Sequence, residues 1–193
     1  MVKARAVDKW KTKTWYSVLA PDLFEGKEIA VVPADDDAKL MNRIVKISLG
    51  DLTGDMTQAY TNLQFRISEV KGKSASTKLV GHELSPSYLR SLVRRRRDIV
   101  NDVIDVVTKD NMPVRVKVSL YTARKVSTPA RAAVRHAERK EILERAKEMD
   151  FSTFMQEIVF GKFSSRIYKA VKRIVPVKRV EVRKTEVKET FAA

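Results

Sequence analysis

The chain contains no cysteine. That excludes disulfides, zinc–cysteine sites and thiol catalysis together, and fits a reducing compartment. No run approaches the roughly 18 apolar residues that span a bilayer. The apolar stretch Trp15 to Ala20 is too short for a signal-peptide core and is followed at once by Pro21-Asp22. A cytoplasmic protein without a membrane association is the expectation. Histidine is scarce too. His82 and His136 stand alone in sequence, so each reads as a structural or contact residue before it reads as a base. The three acids Asp35-Asp36-Asp37 lack the ligand spacing of a cation site. The tract Gly50-Asp51-Leu52-Thr53-Gly54-Asp55 lacks the Lys-Ser/Thr ending of a phosphate loop and carries two acids, so it reads as a turn after a strand. No catalytic constellation, metal site or cofactor is expected, and the chain does not read as an enzyme.

Acidic charge is also in deficit. Lys plus Arg number 39 against 24 Asp plus Glu, a net charge of +15. A charge this far from zero repels itself unless a polyanion neutralises it. Nucleic acid answers that need because each phosphate contact releases a condensed counterion. An anionic membrane surface is the competing answer. Hydrophobic residues make up 44% of the 193, enough for a folded core.

The positive charge is divided among several segments. Residues 1–13 form a basic arm that includes Lys9, Lys11 and Lys13. Five arginines, Arg90 and Arg94 to Arg97, lie within eight residues. Arginine binds phosphate bidentately and stacks on bases. The bland alternative is a solvated run near a helix end. Arg166, Lys169, Lys172 and Arg173 recur at helical spacing and make a stripe able to follow a phosphate backbone. Lys178, Arg179, Arg183 and Lys184 continue it. Arg66 lies on the solvent side of a strand, and Lys71-Gly72-Lys73-Ser74 is a loop that suits phosphate. Residues 22–37 are the exception: six acids face only Lys27, so this segment should avoid phosphate or meet a basic protein. Trp10, Trp15 and Tyr16 are candidates for a base-stacking ring, with core packing the stronger reading for Trp15.

Residue patterns predict an α+β chain. Thr14 to Ala20 reads as a strand, apolar on both faces and buried. Val45, Ile47 and Leu49 alternate with polar residues, as do Leu63, Phe65 and Ile67, and Val114 to Tyr121. Residues 98–108 suit either a helix or the first arm of a hairpin with 114–121; the hairpin is preferred, after a short helix at 86–97. From Ser127 the period becomes helical, with Thr128 as N-cap and Pro129 in the first turn. Ala130, Val134 and Ala137, then Ile142, Ala146 and Met149, form a stripe with one phase slip. Glu141 and Arg145 are spaced to pair. Further helices are expected at 152–160 and 164–174, then a last strand. The organisation is a basic arm at 1–13, one α+β domain at 14–187 (β-rich 14–122, helical 128–174, strand 177–187) and a tail at 188–193.

Several runs are also familiar together. Trp15-Tyr16-Ser17-Val18-Leu19-Ala20-Pro21 with Phe24, Asp51-Leu52-Thr53-Gly54-Asp55, Tyr88 to Arg95, Thr108-Lys109-Asp110 and Arg179 to Thr185 follow one another in an order that resembles the archaeal and eukaryotic small-subunit ribosomal protein family S-one-e, also written S-three-a-e. The resemblance runs from about residue 9 to residue 187. It implies a β-barrel-like core with appended C-terminal helices. It also implies a place on the platform of the small ribosomal subunit, near the messenger exit side, with small-subunit ribosomal RNA, neighbouring ribosomal proteins and messenger RNA near the exit as partners. Two departures stand out: Asn111-Met112 where the family has a glycine after Lys-Asp, and the Asp35 to Asp37 run. Asn tolerates the left-handed conformation that such a turn needs. A free-standing nucleic-acid-binding regulator or chromatin protein is the alternative reading.

Overall fold

In the computed structural model, residues 10, 11 and 13–188 are described. Most of the basic arm, including Lys9, and most of the tail lie outside them. The chain divides into two compact units, residues 1–47 with 64–79, and residues 48–63 with 80–193.

The first unit contains β1 (Thr14–Leu19), β2 (Glu28–Ala34), most of β3 (Ile44–Ser48), most of β4 (Thr61–Lys71) and the start of β5 (Ser74–Leu84). β1 pairs antiparallel with β2 and parallel with β5, while β4 pairs with β3 and β5. The period-2 residues Leu63, Phe65 and Ile67 are fully buried, and Phe24 meets Phe65 edge to face at 5.7 Å. Trp15 corrects the expectation of a strand buried on both faces. It is 55% exposed, beside Trp10 at 6.3 Å, while Tyr16 and Val18 turn inward. The acids at 35–37 are used locally: Lys39 pairs with Asp35 and Asp36, and Asp37 accepts from the Tyr16 hydroxyl at 2.7 Å.

The second unit carries α1 (Leu49–Thr53), the end of β5, α2 (Pro86–Leu92), β6 (Ile99–Val107), β7 (Pro113–Thr122), α3 (Thr128–Glu148), α4 (Phe151–Val159), α5 (Lys162–Val171) and β8 (Val177–Val187). The tract at 50–55 is this one-turn helix α1, capped by Ser48 and closed by Gly54 at φ 79°. Residues 99–107 and 113–122 form the preferred hairpin, with its turn closed by Asn111 at φ 57°. β8 pairs with β7 and with Gly81–Glu83 of β5, giving the order β5-β8-β7-β6.

Buried residues on α3 are Val134, Glu138, Ile142 and Ala146, evenly four apart. The apparent phase slip comes from counting Ala137 in place of an acid. Ser127, not Thr128, is the N-cap residue. Arg145 pairs with Glu148 at 2.7 Å and Glu157 at 3.5 Å rather than with Glu141. α3 packs on β6 and α5, and Phe154 of α4 meets Phe163 of α5 at 5.3 Å. The fold is α+β with C-terminal helices, as expected. The hydrogen-bonded path of strands begins at β2 and ends at β6 without closing, so it is barrel-like only loosely.

Candidate nucleic-acid interface

The ladder of β6, β7 and β8 has one basic end and one end neutralised by ion pairs. At one end, β6 starts, β7 finishes and β8 starts, because Ile99 pairs with Tyr121 and Thr122 pairs with Val177. Backbone bonds extend this junction beyond the strands. Thr122 N–H donates to Asp98 O at 3.0 Å and Ala123 N–H to Pro176 O at 2.9 Å. Three segments far apart in sequence therefore meet there. They bring Arg94 to Arg97, Arg124 and Lys125, and Lys172, Arg173, Lys178 and Arg179.

The helix does not carry the arginine run. α2 ends at Leu92, Val93 is extended, and Arg96 takes φ 62° in the loop. Arg94, Arg95 and Arg96 are exposed and Arg97 half-buried, instead of radiating around a helix, whereas Arg90 sits exposed in the last turn of α2. Of the ten cations gathered here, only Arg179 has an acidic partner among the described residues, Glu181 at 2.5 Å. The nearby acid is already committed: Asp98 accepts from Val126 N–H at 2.8 Å and pairs with Arg131 at 3.0 Å.

The other end of the ladder is neutralised internally. Asp105 of β6 takes a two-bond fork from Arg115, its register partner on β7, and a third bond from Lys188 at 2.7 Å. Arg115 first, then Lys188, hold its carboxyl well below the usual range. Glu186 pairs with Lys117 at 3.0 Å and Lys184 at 2.7 Å. Such pairs leave little net field for a polyanion.

A groove of about 710 Å³ opens beside the basic end, between α5 and the start of β8. Tyr60, Tyr168, Lys169, Lys172, Lys178, Arg179 and Glu181 line it. Tyr60 is stacked on Tyr88 at 3.9 Å with planes 15° apart, and Arg179 lies 5.6 Å over the Tyr88 ring. The Tyr88 hydroxyl donates to Glu181 at 2.9 Å. Burial and the Glu181 charge hold that phenol protonated, its pKa far above the ordinary value. A second hollow of about 680 Å³ is lined by Ala123, Arg124, Lys172, Arg173, Ile174, Val175 and Pro176. Lys172 lines both.

Other sequence-predicted cations are not brought to this end or are engaged elsewhere. Arg166 pairs with Glu157 at 3.7 Å, and Lys184 is held by Glu186. Arg183 is half-buried on β8. In the first unit, Lys71 pairs with Glu69 at 3.2 Å and Lys73 is exposed; Gly72 at φ 60° makes their loop a tight hairpin turn. Arg66 is half-buried on β4. Lys11 is exposed, and the Lys13 ammonium lies 4.6 Å over the Trp10 ring. His82 is buried between Thr185 Oγ1 at 2.8 Å and Val182 O at 3.0 Å, and burial pushes its pKa down to about 4. It is a neutral core residue. Arg124, Lys125, Tyr60 and Tyr168 do not stand out in the sequence. A basic dipeptide between a strand and a helix N-cap is the available signal for the first two.

Comparison with known proteins agrees with the resemblance. The Ribosomal S3Ae family matches residues 1–190. A small ribosomal subunit protein eS1 of Methanothrix thermoacetophila is 41% identical over 183 residues, 95% of this chain and 87% of that protein. A protein of the same name from Saccharolobus islandicus is 43% identical over 180 residues, 93% of this chain and 86% of that protein. With the family matched over nearly its whole length, the chain belongs to the Ribosomal S3Ae family.

Proposed function

We propose that the protein is a structural constituent of the small ribosomal subunit, in the cytoplasm, and that it binds ribosomal RNA through the basic end of the β6–β7–β8 ladder. One observation carries the RNA-binding part: three sequence-distant segments place ten cations at that end, and a single one has an acidic partner among the described residues. Concentrated, unpaired Arg and Lys side chains favour phosphate, with position along the RNA set by backbone and 2′-hydroxyl contacts more than by base reading. The relatives' name, small ribosomal subunit protein eS1, supports the ribosomal part and the absence of an enzymatic role. Neighbouring ribosomal proteins are the natural partners of the acidic segment in the first unit. A place on the platform near the messenger exit, with messenger RNA within reach, is the finer form of the same reading.

Two measurements test it. Binding of the purified protein to small-subunit RNA fragments should weaken steeply with salt, by about −0.7 to −0.9 in log–log slope for each phosphate engaged. In cells, the tagged protein should sediment with small subunits through a high-salt gradient. A slope near zero, or protein left at the top of the gradient, overturns the reading; the second outcome would favour a free-standing nucleic-acid-binding protein.

A further inference from the structure

We infer that the groove between α5 and β8 is a site for one unpaired RNA nucleotide and that it prefers guanine. The inference rests on the RNA-binding reading above and assigns this groove a task that general charge neutralisation does not explain.

The chemistry of the lining divides into three parts. Lys169, Lys172 and Lys178 border the groove and suit a phosphate. Lys169 and Lys178 have no acidic partner among the described residues, and Lys172 only lies 5.8 Å over Tyr168. Tyr168 and Tyr60 supply aromatic surface, and Tyr60 is fixed in place by its stack on Tyr88. Rings held this way suit a splayed-out base, which stacks on aromatic side chains in single-stranded recognition. The third part is Glu181. Even paired with Arg179, a carboxylate offers phosphate no donor, so its presence in an otherwise cationic groove points to a ligand group that donates. Its Oε1 accepts both from the Tyr88 hydroxyl and from Arg179, which fixes the side chain of this groove-lining residue and leaves Oε2 as its second acceptor. Carboxylates read bases by accepting from amino or imino groups. Guanine presents adjacent N1–H and N2–H donors on one edge. Cytosine and adenine present one amino group beside an acceptor, and the single N–H of uracil is flanked by two carbonyls that repel a carboxylate.

Anisotropy titrations of the full chain with labelled pentamers test this: five uridines, and the same strand with guanosine, cytidine or adenosine at the centre. The guanosine pentamer should bind about tenfold tighter than the all-uridine strand. Glu181→Gln should erase that difference. Because Glu181 also anchors Tyr88, a second variant is needed: Tyr168→Leu should weaken the guanosine pentamer about tenfold with an unchanged melting temperature. Equal affinity of all four pentamers for the unaltered protein, or a Tyr168→Leu variant that binds guanosine undiminished, overturns the site. Either failure, with long RNA still bound in a salt-dependent manner, removes the groove and leaves the broader reading standing. Loss of salt-dependent binding to long RNA would remove both.

Discussion

Glu138 of α3 and Asp102 of β6 are neighbouring buried carboxyl groups, and only Asp102 is given a cation. Arg139 Nε donates to Asp102 Oδ2 at 2.6 Å and Nη2 donates to Oδ1 at 2.7 Å. Both Glu138 oxygens are buried and accept no hydrogen bond. Burial first, then the Asp102 charge, pushes the Glu138 pKa up to about 8. The unfolded chain ionises this group near 4.5, so the native state holds the extra proton between the two values. Stability from the neutral acid is complete below pH 4.5 and is lost as pH rises toward 8, by about 5 kcal/mol. Urea unfolding from pH 6.5 to 8.5 should show the upper part of that decline, about 2 kcal/mol, and Glu138→Gln should flatten it. An unchanged slope in the variant would show that the acid is not held neutral.

His82 acts in the opposite sense. Its native pKa is about 4 against 6.5 for the free side chain, so the unfolded chain takes the proton first as pH falls. Stability conferred by the neutral ring is present above 6.5 and lost down to about 4, by about 3 kcal/mol. Between 4.5 and 6.5 the two slopes oppose each other, which leaves Glu138 alone to shape the limb from 6.5 to 8. His82→Gln should be less stable at neutral pH, since two buried bonds to Thr185 and Val182 are disturbed. Its unfolding free energy should then rise as pH falls from 6.5 to 4.5. A variant that still loses stability toward acid would place the acid sensitivity elsewhere.

The two buried titratable groups also show what the sequence makes legible. Period-2 alternation locates Leu63, Phe65 and Ile67 on the inner face of β4, and it favours the β6–β7 hairpin, because alternation follows directly from which face is buried. Glu138 breaks the helical stripe because a buried acid is rare enough that Ala137 looks like the better inward residue. Trp15 misleads for the converse reason: a large aromatic beside Tyr16 and Val18 reads as core, yet it faces outward on β1. Local charge density finds Arg94 to Arg97 and the stripe through Lys172 and Arg173. It does not show that Lys184 and Arg166 are satisfied by Glu186 and Glu157, since such pairing depends on strand geometry or on helix packing. Nor does it reveal that Arg124 and Lys125 join the same end of the ladder, which only strand pairing establishes.

Charge-removal variants should separate the two ladder ends. Arg124→Ala with Lys125→Ala removes two unpaired cations from the basic end. The log–log salt slope of RNA binding should become shallower by about 0.7 to 0.9 for each phosphate no longer engaged. Arg94→Ala with Arg96→Ala should act likewise. Arg115→Ala, at the neutralised end, breaks the fork on Asp105 and should leave the slope as it was. Equal effects from both pairs of variants and Arg115→Ala would mean that phosphate binding is spread over the surface.

At Gly81 the backbone of β8 leaves β5 no room for a Cβ. A Cβ placed there would lie 2.1 Å from Thr185 O and 3.0 Å from Thr185 C, both backbone atoms. The clash cannot be relieved by turning a side chain. Moving β8 away would strain the Gly81–Glu186 and His82–Thr185 pairings and the bond from His82 N–H to Thr185 Oγ1. Gly81→Ala should therefore cost about 3 kcal/mol. Gly54→Ala is the matched control in the same unit. Gly54 has φ 79° but nothing within 4 Å of its added Cβ, so the cost there is the left-handed backbone alone, about 1 kcal/mol. Denaturant midpoints of the two variants give the comparison. If Gly81→Ala proves no more damaging than Gly54→Ala, the strands can separate at this point at little cost in stability, and the tight β5–β8 approach does not hold the ladder together.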